Sequence, residues 1–169
     1  MSLSMYQASV PVFLRSLVNL SAVLDKAMAN ANVQKIDQTV FFNARLAPDM
    51  LPLSEQVLFV MVHAKGVGAR LAGLEVPNFD DTETTMASLQ IRIAKTVKFL
   101  QGLTAAQIDG SEDRPVVLNL RGGKVSFTGQ DYLLNFALPN FYFHHAITYA
   151  ILRHNGVEIG KADYLGDLN

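Results

Sequence analysis

The residues best suited to chemistry are an asparagine, a histidine and a threonine spaced four apart: Asn140, His144 and Thr148. They lie within 128–156, TGQDYLLNFALPNFYFHHAITYAILRHNG. At about 100° per residue they share one helical face with Leu133, Ala137 and Ile151. A polar row inside an apolar stripe fits two situations. The helix lines a pocket, where carboxamide, imidazole and hydroxyl orient a small ligand between aromatic walls such as Phe141 or Tyr149. Alternatively the row is packed core, with His144 hydrogen-bonded to Asn140 or Thr148, as buried polar groups generally are.

The other histidines carry weaker signals. His145 points about 100° away from His144, so two neighbours on a regular helix cannot serve one ion, and an interface or surface position is expected for it. His154 falls in the last turn, where a cation suits the helix dipole. HHAITYAILRH is not HExxH, and there is no GxSxG elbow. GAR and RGGK lack phosphate-loop spacing, and DDTE reads as a helix start on a solvated surface. FYFHH is rich in large side chains and offers a dimer face, although helix burial explains it equally.

Four long helices have to position these groups. The first is expected over about 4–31, with Val10, Leu14, Leu17, Leu24 and Met28 inward, unless Pro11 marks its true start. Asp37 caps a short helix that stops before Pro48. The second long helix, about 52–71, carries the stripe Leu53, Val57, Val60, Ala64, Val67 and Leu71. His63 sits about 80° from the centre of that stripe, beside Phe59 and Gln56. Gly66 and Gly68 lower helicity there but permit close approach of another helix. The third spans about 84–103, capped by Asp80, Asp81 or Thr82, with Met86, Leu89, Ile93, Val97 and Leu100 inward. Thr104 with Gln107 fits a capping box for a short turn. VVLNL and KVSF flank a Gly-Gly pair and predict a two-stranded hairpin, too small to be stable alone. Thr128 then starts the last helix, which Pro139 should kink. The tail drapes over the body.

With 169 residues, half of them hydrophobic and 17% charged, the chain suits one globular domain, 1–169. A formal net charge of −1, with Lys and Arg scattered singly, removes the usual footprint of nucleic-acid binding. Zero cysteines exclude disulfides and thiolate chemistry within the chain and fit a reducing compartment. No signal-peptide pattern and no apolar run of roughly 20 residues is present. A soluble cytoplasmic protein, without nucleic-acid or membrane partners, is the expectation. The fold class is all-α: a four-helix bundle with a small β-hairpin between the third and fourth long helices.

Several blocks together carry a resemblance: SVPVFLRSLVNLSAVLDKA, NARLAPDMLPL, HAKGVGARLAG, DDTETTMASLQIRIAKTV and FALPNFYFHHAITYAILRHNGVEIGKADYLG. Across nearly the whole chain the sequence resembles a bacterial family known as a domain of unknown function, within the DinB-like (YfiT-like) metalloenzyme superfamily. The resemblance implies a DinB-like bundle, frequently a homodimer. It also implies a divalent metal, often zinc or nickel, held by one histidine of the second helix and an HxxxH pair of the last. Some such relatives are thiol-dependent transferases or isomerases, and others hydrolases. By position His63 matches the second-helix ligand and His144 the final one, while Asn140 stands where the pattern has histidine.

Catalytic zinc sites keep three strong protein ligands, and an Asn carboxamide oxygen suits harder cations better. Two histidines plus Asn140 therefore bind metal weakly unless Glu55 or Asp131 adds a carboxylate. The leading expectation is a bundle with a degenerate or absent metal site. It would be a small-ligand pocket lined by Asn140 and Thr148, or a dimeric stress or metabolic accessory protein. The competing one is a divalent-metal-dependent enzyme, of thiol-transferase or hydrolase type, using His63 and His144.

Overall fold

A computed structural model describes residues 3–79 and 82–167. Asp80 and Asp81, two of the three expected caps, lie outside these. The helices are α1 (Val10–Gln34), α2 (Gln38–Asn43), α3 (Leu53–Leu71), α4 (Met86–Gln101) and α5 (Ala105–Ile108). The strands β1 (Val116–Leu120) and β2 (Gly123–Phe127) follow. Then come a single turn α6 (Gly129–Asp131), a π-helical segment (Tyr132–Ala137), α7 (Leu138–His154) and α8 (Lys161–Leu165).

Local chemistry sets most of these boundaries. Helix α1 begins at Val10 with Pro11 in its first turn, where a missing N–H costs nothing, rather than near residue 4. It runs past Asn30 and Asn32 and ends at Lys35, in the left-handed conformation at φ 55°. Asp37 caps α2 by accepting the Thr39 N–H at 2.8 Å. Thr85, not Thr82, caps α4: its hydroxyl accepts the Ser88 N–H while Ser88 accepts the Thr85 N–H. The Thr104 N–H donates to Gln107 Oε1 at 2.9 Å ahead of α5.

Helices α1, α3, α4 and α7 enclose one hydrophobic cluster. All six stripe residues expected on α3 are fully buried, as are Leu17, Leu24, Leu89 and Leu100 from α1 and α4. Phe13 of α1 meets Phe141 of α7 edge-on at 4.7 Å, in the centre of the core. Gly68 lets α4 come close: a Cβ there would stand 2.7 Å from the side-chain ends of Leu100 and Leu103. The hairpin is antiparallel, pairing Val116 with Phe127 and Leu120 with Gly123 around a two-residue turn. Val116 and Leu118 are its buried face, and Phe127 packs against Phe136. The hairpin is thus held on the bundle.

Thr128 caps the last helix, accepting the Asp131 N–H. The irregularity predicted at Pro139 takes the form of the π-helical segment directly before it. Proline has no N–H to donate, and its ring would press on the Asn135 carbonyl in a regular α-turn. The tail returns as expected. Helix α8 lies on α1, with Lys26 paired to Asp163 and the Asn19 amide donating to the Tyr164 carbonyl.

Candidate functional site

Helices α3 and α7 run side by side, and between them opens a cleft of about 320 Å³. Its wall includes Phe59, His63 and Arg70 of α3, Tyr132 and Phe136 of the π segment, and Asn140 and His144 of α7; Leu118, Asn119 and Leu120 of β1 close one side. The volume lies within the range of small-molecule sites. Pocket formation follows from the elements: α3 turns its apolar stripe into the core, which leaves Phe59 and His63 at the edge facing α7.

The two imidazoles meet here. Ring centres of His63 and His144 are 5.7 Å apart with planes 15° from parallel, and Phe59 stacks on His144 at 4.8 Å. His144 Nδ1 lies 2.7 Å from Gln56 Oε1. The Gln56 amide is oriented by its Nε2, which donates to the Leu51 carbonyl. Its oxygen therefore faces the ring, so Nδ1 carries the proton and Nε2 keeps its lone pair. The partner expected for His144 was Asn140 or Thr148; it is Gln56, buried on α3 and 88 positions away in sequence.

Both rings are neutral at neutral pH. Burial, helped by the nearby His144 and Arg70, pulls His63 down to about 4. Burial also lowers His144. Asn140 lines the cleft and commits Nδ2 to the Phe136 carbonyl at 2.6 Å, which leaves Oδ1 as its atom for a ligand. Thr148 sits elsewhere: it is fully buried, and its hydroxyl donates to the His144 carbonyl at 2.9 Å. The aromatic walls are Phe59 and Phe136. Phe141 belongs to the core, and Tyr149 packs toward Tyr164.

The donor set fits a metal only in part. Among the described residues no three His, Cys, Asp or Glu side chains come together. Glu55 is exposed, and Asp131 accepts from Asn135 at the surface, so neither completes the histidine pair. Two imidazole nitrogens and one amide oxygen fall short of the three strong donors of a catalytic zinc centre. Chemically the cleft offers a hydrogen-bond acceptor at His144 Nε2, an amide oxygen, flat apolar walls and one cation, Arg70.

Sequence reasoning placed Gln56 beside His63 without its role as the His144 partner, and missed Arg70, Tyr132 and Phe136, which enter the site from α3 and from the π segment. The proximity of Gln56 and His63 on α3 was the available signal. His145 is a correction: expected at a surface or interface, it is 2% exposed, packed against Tyr164 at 4.4 Å. The tail helix α8 covers it, which no helical periodicity anticipates.

Residues 5–165 match the family described as a domain of unknown function, DUF1993. No curated protein is similar enough to count as a match. Among solved structures, the chain is similar to a DinB family member protein from Shewanella denitrificans. The two share 40% identity over 96% of this chain and 92% of that one, with a TM-score of 0.86. It is also similar in fold to a DinB-like protein, YjoA, from Bacillus subtilis. There the identity is 20%, the coverage 87% of this chain and 91% of that one, and the TM-score 0.58. With its four-helix frame, its hairpin and a match over nearly its full length, the chain belongs to the DUF1993 family of DinB-like proteins.

Proposed function

We propose that this protein is a small-molecule-binding DinB-like bundle whose α3–α7 cleft keeps two histidines but lacks a full metal-ligand set. The observation that carries the reading is the 2.7 Å contact between His144 Nδ1 and Gln56 Oε1. Gln56 holds Nδ1–H, so Nε2 is presented to the cleft as an acceptor beside the neutral His63. A ligand hydroxyl or amide N–H donates there, its flat part lies against Phe59 and Phe136, and Asn140 Oδ1 takes a second donor. The same protein is proposed to be a homodimer of the bacterial cytoplasm, in a metabolic or stress-related accessory role. The absence of cysteine supports that compartment.

A second reading, a divalent-metal-dependent enzyme of thiol-transferase or hydrolase type, is favoured by one distance. Zinc–nitrogen bonds of about 2.0–2.1 Å bring two imidazoles on one ion to ring centres roughly 5–6 Å apart, and the observed spacing is 5.7 Å.

Metal analysis separates the two. Protein purified without chelator and passed through gel filtration is expected to carry well under one equivalent of zinc or nickel, with a melting temperature indifferent to EDTA. Stoichiometric metal that disappears in His144→Ala would establish the second reading and sink the first.

A further inference from the structure

Arg70 stands in the last turn of α3, at the inner end of the cleft. Its Nη1 donates to the Tyr132 hydroxyl at 2.9 Å, and the guanidinium carbon lies 5.5 Å from that ring. Gly66, one turn earlier, makes room for it: a Cβ there would run into the guanidinium. Among the described residues Arg70 makes no ion pair. A partly buried cation without a counter-ion is costly to keep, and a planar five-donor fork matches one kind of partner best, a carboxylate or phosphate.

A second guanidinium adds to the field. Arg70 and Arg114 line an adjoining cavity of about 230 Å³ with Gly73, Leu74 and Val116. Arg114 donates to the Leu71 carbonyl and likewise makes no ion pair among the described residues. Two arginines therefore line one cavity whose other lining residues carry no charge, a wall that favours an anion. The rest of the cleft wall is mostly apolar and aromatic, with side-chain acceptor atoms at the two histidines, Asn119 and Asn140.

We propose that Arg70 anchors an organic oxyanion, a carboxylate or a phosphate monoester, whose flat apolar body lies between Phe136 and Phe59 beside the two imidazoles. Tyr132 is its positioning residue, holding one guanidinium N–H so that the others face the cleft. The assignment rests on the reading of the cleft as a ligand site, and deepens it by naming the ligand class.

The test is an NMR titration of the full chain at low salt with three probes: benzoate, phenyl phosphate and the uncharged benzyl alcohol. Both anions are expected to bind about 10-fold or more tightly than the alcohol, and less tightly as salt is raised. Arg70→Gln should weaken the anions about 10- to 100-fold and leave the alcohol unchanged. Arg70→Lys should restore part of the loss. Phe136→Ala should weaken all three probes alike. Equal binding of anions and alcohol to the native protein, with Phe136→Ala weakening both, would remove Arg70 as anchor while keeping the ligand site. Failure of every probe to bind the folded protein at millimolar concentration would remove the anchor and the ligand site together. Melting curves establish that Arg70→Gln is folded. Should it not fold, Arg70→Lys carries the test: an unchanged anion-to-alcohol preference together with an unchanged salt dependence would overturn the proposal.

Discussion

His144 and His145 are chain neighbours with opposite destinations, one facing α3 and the cleft, the other sealed under α8. Burial alone pulls His145 to about 4, and burial is the first cause of the same value at His63. The unfolded chain takes up these protons near pH 6.5, whereas the folded one refuses them until about pH 4. Stability from keeping the rings neutral is therefore complete above pH 6.5 and lost as pH falls toward 4. For His145 the limit is about 3 kcal/mol. Urea unfolding at pH 7.5, 5.5 and 4.5 should show a falling midpoint, and His145→Gln should flatten part of that slope. A midpoint that is level across this range would contradict the buried, neutral ring. Residue types were legible in the sequence: His63, Asn140 and His144 were picked out and do share the cleft. Their partners across the cleft were not, because Gln56 meets His144 and Arg70 meets Tyr132 through a helix pairing that no local spacing encodes.

At the level of elements, periodicity and capping chemistry did most of the work. The α3 stripe, Asp37, Thr104 and Thr128 behave as their local patterns imply, since each acts within one helical turn. Thr85 took over the α4 cap because Ser88 returns its hydrogen bond, a reciprocity that Thr82 does not have. Glycines show what such patterns leave out. Gly129, at the start of the last helix, lies against the Ser111 carbonyl with no space for a Cβ, and the Gln130 N–H donates to the Glu112 carbonyl beside it. Gly122, in the hairpin turn, faces open space. Gly129→Ala should therefore cost about 1–3 kcal/mol, because backbone on both sides resists the shift. Gly122→Ala should stay within about 0.5 kcal/mol of the native protein. Equal melting temperatures for the two variants would show that the turn at 108–114 yields to the helix start.

For the molecule as a whole, Phe59 and Val62 of the cleft wall are exposed, and so is Phe143, which is 54% exposed and meets His144 edge-on at 5.3 Å. An apolar rim of this kind supports the proposed homodimer. Light scattering at micromolar concentration should give twice the 18.5 kDa chain mass, and Phe143→Lys should shift it toward the monomer. A single-chain mass for the native protein would end the dimer proposal. Fold class was already determined by the sequence, because amphipathic stripes, caps and a glycine turn are short-range physics repeated along the chain. Only the tertiary structure decided which polar groups converge. It set Gln56 against His144 and Tyr132 against Arg70, and it buried His145 under the tail. Those contacts span from about 60 to nearly 90 positions at the cleft and are chosen by how α3, α7 and the hairpin pack, a competition among whole surfaces that single-helix patterns do not contain.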